Sequence, residues 1–169
     1  ELKASLEKDA RELPEVMAGE LHARAARLLW YSDEDPGSVA QHLVASPGSG
    51  DGVVSAFLYE QAKVALEAGS VAVARRLLQR ALDEPAPSDQ RDVILLWLGR
   101  AEHRALELDA ARDHLEAALA SSDRAVALAA AGDLFDVLDD ANRYDEMGRV
   151  HERAIALRPF GTSEAEVIL

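Results

Sequence analysis

The sequence predicts an all-α fold, an alpha-alpha superhelix of about four helix hairpins. Alanine accounts for 32 of the 169 residues, and it has the highest intrinsic helix propensity. Apolar residues recur with the helical period, and no stretch alternates between apolar and polar residues as a half-buried strand does. The predicted helices are joined by turns of two to five residues, so consecutive helices must pack as antiparallel neighbours.

The chain is predicted to form a single helical-repeat domain over residues 1–169. Its first helix pair, residues 13–46, is atypical and is interrupted by the turn sequence DEDPG. The remainder divides into three similar units and a tail or start of a truncated helix, which span residues 53–87, 88–122, 123–159 and 160–169. The chain begins ELKAS without an initiator Met, which we interpret as a sign that it belongs to a longer protein.

The second helices of the three units share a pattern of small and large apolar residues. Matching positions are separated by 37 and then 36 residues, an interval typical of helical solenoids with two helices per unit. A helix packed between two others requires such a stripe. The matched sets are Ala74, Ala111 and Met147; Leu78, Leu115 and His151; and Ala81, Ala118 and Ala154.

All three units resemble tetratricopeptide repeats. In the unit over residues 53–87, Ala62 holds the small-residue position and Gly69 marks the turn. The last unit, RYDEMGRVHERAIALRP, resembles the second half of such a repeat, ending at Pro159. The unit over residues 88–122 resembles the first half through Leu95, Leu98 and Gly99, with Gly99 at the position where the family has a small residue so that two helices can touch. Leu106 departs from the family pattern, because a turn glycine is usual there.

Residues 13–159 also resemble the central region of large ATP-binding transcriptional regulators of the LuxR type. The resemblance is carried by LPEVMAGELHARAARLL, DPGSVAQHLVAS, YEQAKVALEAGSVAVARRLLQRAL and LLWLGRAEHRA. In that family a tetratricopeptide-like region lies between an ATPase module and a helix-turn-helix. The resemblance implies a non-catalytic, cytoplasmic module that senses a partner or ligand and relays it to ATPase and DNA-binding parts outside this chain.

Composition argues against several classes of partner. Thirty-one acidic residues against eighteen basic ones give a net charge of −13, which repels phosphate backbones and predicts no direct contact with nucleic acid. No run approaches the length of a membrane span, and no leader peptide is visible. The absence of cysteine excludes disulfides and thiolate chemistry and fits a reducing cytoplasm.

No catalytic or cofactor-binding motif is present, so we expect no enzyme activity, cofactor or metal. The stretch SPGSGDG, residues 46–52, spaces its glycines as G-x-G-x-G, follows a predicted helix and lacks the lysine of a phosphate-binding loop. We interpret it as a flexible joint between helices. The five histidines include no H-E-x-x-H pair and no two at helical spacing, so they are expected to be surface or partly packed residues.

The resemblance to tetratricopeptide arrays places the first helix of each unit on a concave face. A basic centre beside an acidic rim predicts binding of a protein or peptide partner, or of a small-molecule inducer. The candidate residues are Tyr59, Lys63, Leu96, Arg100, His103, Arg104, Asp136, Asp139 and Asp140.

Two alternatives remain open at this stage. Arg100 and Arg104 could bridge to neighbouring aspartates and only stabilise the stack, each exposed pair contributing about 0.5 kcal/mol. The chain could also be a general protein-binding scaffold that forms a homo-oligomer through an uncapped end of the array, for which the C-terminal EAEVIL is a sign.

Overall fold

The computed structural model describes residues 15–32 and 35–157. Within these ranges there are helices and turns but no strand, which confirms the all-α prediction. Each helix packs against the next one in the chain, giving a series of hairpins. Pro159 and the predicted tail over 160–169 lie outside the described residues. The helices are α1 (Glu15–Tyr31), α2 (Pro36–Val44), α3 (Gly52–Glu67), α4 (Val71–Leu82), α5 (Ser88–Arg104), α6 (Leu108–Leu119), α7 (Arg124–Asp140) and α8 (Tyr144–Ala156).

The turns within three hairpins share one backbone geometry. Gly69, Leu106 and Asn142 have positive φ angles of 74°, 60° and 56°. In each turn the following amide donates to the carbonyl five residues earlier, at 2.8, 3.0 and 2.8 Å, which is the Schellman arrangement that ends a helix. The three turns are spaced at the same intervals as the matched residues of the predicted units. Leu106 therefore adopts the conformation of the turn glycine that it replaces.

Two apolar cores run along the array. One core joins helices from α1 to α5 and the other joins helices from α5 to α8, so α5 contributes to both. The matched residues in α4 and α6 are fully buried. Their counterparts Met147, His151 and Ala154 in α8 are exposed or half-buried, because among the described residues no later helix packs against α8.

Gly99 allows α5 and α6 to touch. A Cβ atom at this position would lie 2.5 Å from Cγ of Leu115 and 3.2 Å from the carbonyl oxygen of Ala111. Leu115 is fully buried and has no room to move aside. The close contact explains why a small residue is needed here.

The glycine-rich stretch links α2 to α3 and is held by a buried carboxylate. Glu84, just after α4, accepts hydrogen bonds from the amides of Ser49, Gly50 and Asp51 at 2.8, 2.7 and 3.2 Å, and from the Ser49 hydroxyl at 2.9 Å. The loop thus surrounds an oxyanion, but the oxyanion is the protein's own side chain. The glycine-rich stretch is therefore held in place by Glu84 and is not the flexible joint that we expected.

Arg80 completes the anchor from the last turn of α4. Its guanidinium pairs with Glu84 at 2.7 Å and donates to carbonyl oxygens of Leu43, Ser46 and Pro47. Burial of the Glu84 carboxylate raises its pKa, but the hydrogen bonds from Ser49 and Arg80 outweigh this effect and bring the pKa to about 2. The pair therefore stays ionised and fixes the first hairpin to the second.

Candidate functional site

An aromatic and cationic ladder crosses α3 and α5. Tyr59 and Trp97 meet edge to face, with ring centroids 6.4 Å apart, an arrangement that the ring quadrupoles favour. Lys63 Nζ lies 5.2 Å from the Tyr59 centroid, and the Arg100 guanidinium carbon lies 5.1 Å from the Trp97 centroid, within cation–π range. Helical spacings of four and three residues place each cation beside its ring. We call these four residues the ladder.

Carboxylates of α7 lie next to the ladder. Arg100 Nε donates to Asp133 at 2.6 Å, and His103 Nε2 lies 2.7 Å from a carboxylate oxygen of Asp140. Asp133, Asp136 and Asp140 recur at helical spacing and share one face of α7. We call these three residues the acidic row. Positive and negative charges therefore line adjacent strips of the same surface.

Five of the predicted residues take part in these contacts: Tyr59, Lys63, Arg100, His103 and Asp140. Leu96 does not, because it is 5% exposed and belongs to the second core. It faces the neighbouring helices and is unavailable to a partner, which corrects this part of the prediction.

Arg104, Asp136 and Asp139 are exposed, and their side chains form no ion pair among the described residues. Arg100 does pair with an aspartate, as the structural alternative predicted, but with Asp133 instead of the aspartates that we named. Since this pair is partly exposed, its contribution to stability is about 0.5 kcal/mol. The unpaired charges are thus the ones that remain free to meet a partner.

Tyr59 and Lys63 keep their ordinary protonation at neutral pH. Burial raises the pKa of the Tyr59 hydroxyl above its usual value. A hydrogen bond to Glu60 at 3.0 Å raises the pKa of Lys63. The surface therefore presents a neutral phenol beside a stable cation.

The histidines form contacts that the sequence did not predict. His22 and His42 approach with their Nδ1 atoms 2.8 Å apart. His114 Nδ1 lies 2.6 Å from Glu102, whose side chain is buried. The hydrogen bond to Glu102 raises the pKa of His114, whereas burial and the charge of His22 lower the pKa of His42. Among the described residues no group of three or more potential metal ligands occurs.

Sequence reasoning missed two members of this surface, Trp97 and Asp133. Trp97 reads as a core residue because it follows Leu95 and Leu96 directly. Its position three residues before Arg100 is the signal that places it on the ladder. Asp133 is signalled in the same way, three residues before Asp136.

These observations define the class of protein as an all-helical array of hairpins. No protein-family model matches the sequence, and neither a curated protein nor a solved structure shows significant similarity to it. The resemblance to LuxR-type regulators gains no support from these comparisons and stays a prediction. None of the described helices is long and apolar enough to cross a membrane.

Proposed function

We propose that this chain is a binding module that holds an extended segment of a partner protein on its concave face, without catalysis. The observation that carries the proposal is the adjacency of the ladder and the acidic row on α3, α5 and α7. The half-buried rings of Tyr59 and Trp97 supply apolar contact area, and a row of carboxylates selects basic side chains. The preferred partner is therefore a peptide with Lys or Arg facing the acidic row and an apolar residue against Tyr59 and Trp97.

Selection from a random peptide library, followed by calorimetric titration, tests this proposal. Enriched peptides are expected to carry Lys or Arg, and the double substitution D136N/D140N is expected to weaken their binding about tenfold, equivalent to about 1.4 kcal/mol. Both aspartates are exposed, so the fold should be unaffected. Glu116→Gln on α6 is the matched control. Enriched peptides that lack basic residues, or equal binding of the peptides by wild type and D136N/D140N, would contradict the proposal.

We further propose, from the sequence resemblance, that the module belongs to a cytoplasmic LuxR-type regulator. In this proposal, binding is relayed to ATPase and DNA-binding parts outside this chain. The complete coding sequence is the test, and we expect Walker motifs on the N-terminal side and a helix-turn-helix on the C-terminal side. Their absence would refute the regulator and leave the binding module standing.

Self-association is a second candidate function, because α1 exposes an apolar stripe at helical spacing. Arg24 lies within this stripe, and two copies of α1 packed antiparallel would bring Glu20 of one copy near Arg27 of the other, so these two flanking charges are complementary. The members of the stripe are Met17, Leu21, Leu28 and Tyr31, and each is more than half exposed.

Sedimentation equilibrium measures this association. We expect a dimer that Leu28→Asp dissociates, because the substitution places a charge in the apolar contact. Leu106→Asp, at an exposed leucine outside the stripe, should leave the dimer intact. A monomer at all protein concentrations would contradict self-association.

A further inference from the structure

The first hairpin packs loosely against the second. Helix α2 has nine residues and contacts α3 and α4 over a short length, whereas α4 with α5 and α6 with α7 pack along much of their lengths. The gap is a pocket of about 540 Å³ among α1, α2, α3 and α4, a volume within the range of small-molecule sites. Looser stacking at this junction has therefore produced a cavity.

The pocket lies apart from the concave face. Gln61 and Ala65 of α3 line it, while Tyr59 and Lys63 of the same helix belong to the ladder. Each residue advances about 100° around an α-helix, so Lys63 and Ala65 point in nearly opposite directions. A ligand in the pocket would not compete directly with a peptide on the ladder.

The charge of the pocket opposes the charge of the chain. Among the described residues, none of those that line it is Asp or Glu, although the sequence contains 31 acidic residues. Arg76 lines it and has no ion pair among the described residues, whereas Arg75 and Arg80 on the same helix pair with Glu107 and Glu84. Arg76 is thus a solvent-exposed guanidinium that lines the pocket and that no described acidic side chain neutralises.

The remaining wall combines polar donors with apolar surface. The contact between His22 and His42 requires one Nδ1 to donate and the other to accept, so the accepting ring is neutral and carries its proton on Nε2. Val44, Val64 and Leu77 supply apolar surface, and Val64 remains 59% exposed. The pocket offers one cation, imidazole and amide groups, and an aliphatic wall.

We propose that this pocket binds a small organic carboxylate, with the carboxylate on Arg76 and the apolar body against Val44, Val64 and Leu77. A guanidinium matches a carboxylate through two parallel hydrogen bonds. One cation also balances a monoanion, whereas a phosphate dianion would leave a charge unpaired. The proposal is independent of peptide binding on the concave face.

Amide NMR spectra of the full chain at pH 7 provide the test, with octanoate and phenylacetate as probes and 1-octanol and 2-phenylethanol as neutral counterparts. We expect saturable shifts at amides of α2, α3 and α4 for the carboxylates, and at least about tenfold weaker binding of the alcohols. Arg76→Gln should weaken octanoate binding by a similar factor. Arg153→Gln, at an exposed arginine of α8, should not change it.

A second variant tests whether octanoate binds inside this pocket. Ala65→Leu places a larger side chain in the pocket while keeping Arg76, and it should weaken octanoate binding at least about tenfold without loss of the dispersed native spectrum. The proposal is overturned by equal affinity for acid and alcohol, by unchanged affinity in R76Q or A65L, or by shifts centred on Tyr59 and Trp97. The absence of saturable shifts up to about 10 mM carboxylate, tenfold above a weak millimolar Kd, would also overturn it.

Discussion

Replacing Glu84 by glutamine tests the anchor of the glycine-rich loop. Glutamine preserves the shape of the side chain but removes its charge and turns one terminal acceptor into an NH2 donor. That NH2 group would face either the Ser49 amide or those of Gly50 and Asp51, because the carboxylate accepts from all three. Arg80, which is 7% exposed, would lose its carboxylate partner.

The pKa of Glu84 and the usual cost of breaking a buried ion pair both give the expected loss of unfolding free energy in E84Q. The pKa of Glu84 is about 2, against an ordinary value of 4.5, and this difference corresponds to a preference of about 3 kcal/mol for the carboxylate over the acid. Removing one partner of a buried ion pair costs roughly 3–5 kcal/mol. We therefore expect Glu84→Gln to lower the free energy of unfolding by about 3 kcal/mol, and Tm by about 6–12 °C for a chain of this size.

Urea unfolding followed by circular dichroism is the assay. Because the folded state lowers the pKa of Glu84, its contribution is complete above about pH 4.5 and is lost as the pH falls toward 2. The difference between wild type and E84Q should therefore shrink over that range. Glu152→Gln, at an exposed position, should change stability by less than about 0.5 kcal/mol. A similarly small effect of E84Q at pH 7, or a difference that persists at pH 2, would refute the anchor.

Gly99→Ala is expected to cost about 1–3 kcal/mol in urea unfolding because its Cβ would meet Leu115. Gly132→Ala, with nothing within 4 Å, should gain about 1 kcal/mol, and the opposite order would contradict the contact between α5 and α6. Leu106→Gly should gain about 0.5–1 kcal/mol, since it relieves a left-handed φ at a side chain that is 78% exposed; a loss of stability would show that Leu106 makes contacts that matter. Imidazole NMR titrations should give a pKa above 6.5 for His114 and below 6.5 for His42. Stability from His114 is then present below pH 6.5 and lost as the pH rises through its raised pKa, whereas stability from His42 is present above pH 6.5 and lost as the pH falls; Glu102→Gln should lower the pKa of His114, and an unchanged value would contradict the pairing.

The series of helix hairpins could be predicted because the residue pattern that specifies it is local and repeats along the chain. Alanine and leucine at a fixed interval mark the buried stripe of each second helix, and Gly99 marks the closest approach between helices. The all-α class depends on these signals alone, without any long-range contact. The same code does not assign each apolar residue to a core: α5 contacts helices on both of its sides, so the adjacent residues Leu95, Leu96 and Trp97 could not be sorted by period.

What the sequence did not reveal depends on partners distant along the chain. Glu84 lies more than thirty residues from the loop that it holds, so the glycine spacing alone could exclude a nucleotide motif but could not indicate order. His22 and His42 meet only because α1 and α2 fold back on each other. The pocket likewise reflects looser packing at one junction, a property of relative helix placement that no single segment encodes.

The recurrent left-handed turn has a consequence for how such a chain can change over evolutionary time. Gly69 and Leu106 are 37 residues apart and occupy the same turn position in successive hairpins. An in-frame duplication of residues 70–106 would bring its own turn, buried alanines and interhelical glycine, and each flanking helix would meet a surface like the one it already packs against. The array can therefore grow or shrink by whole hairpins without redesigning any junction, and the surface that carries the ladder would lengthen or shorten with it.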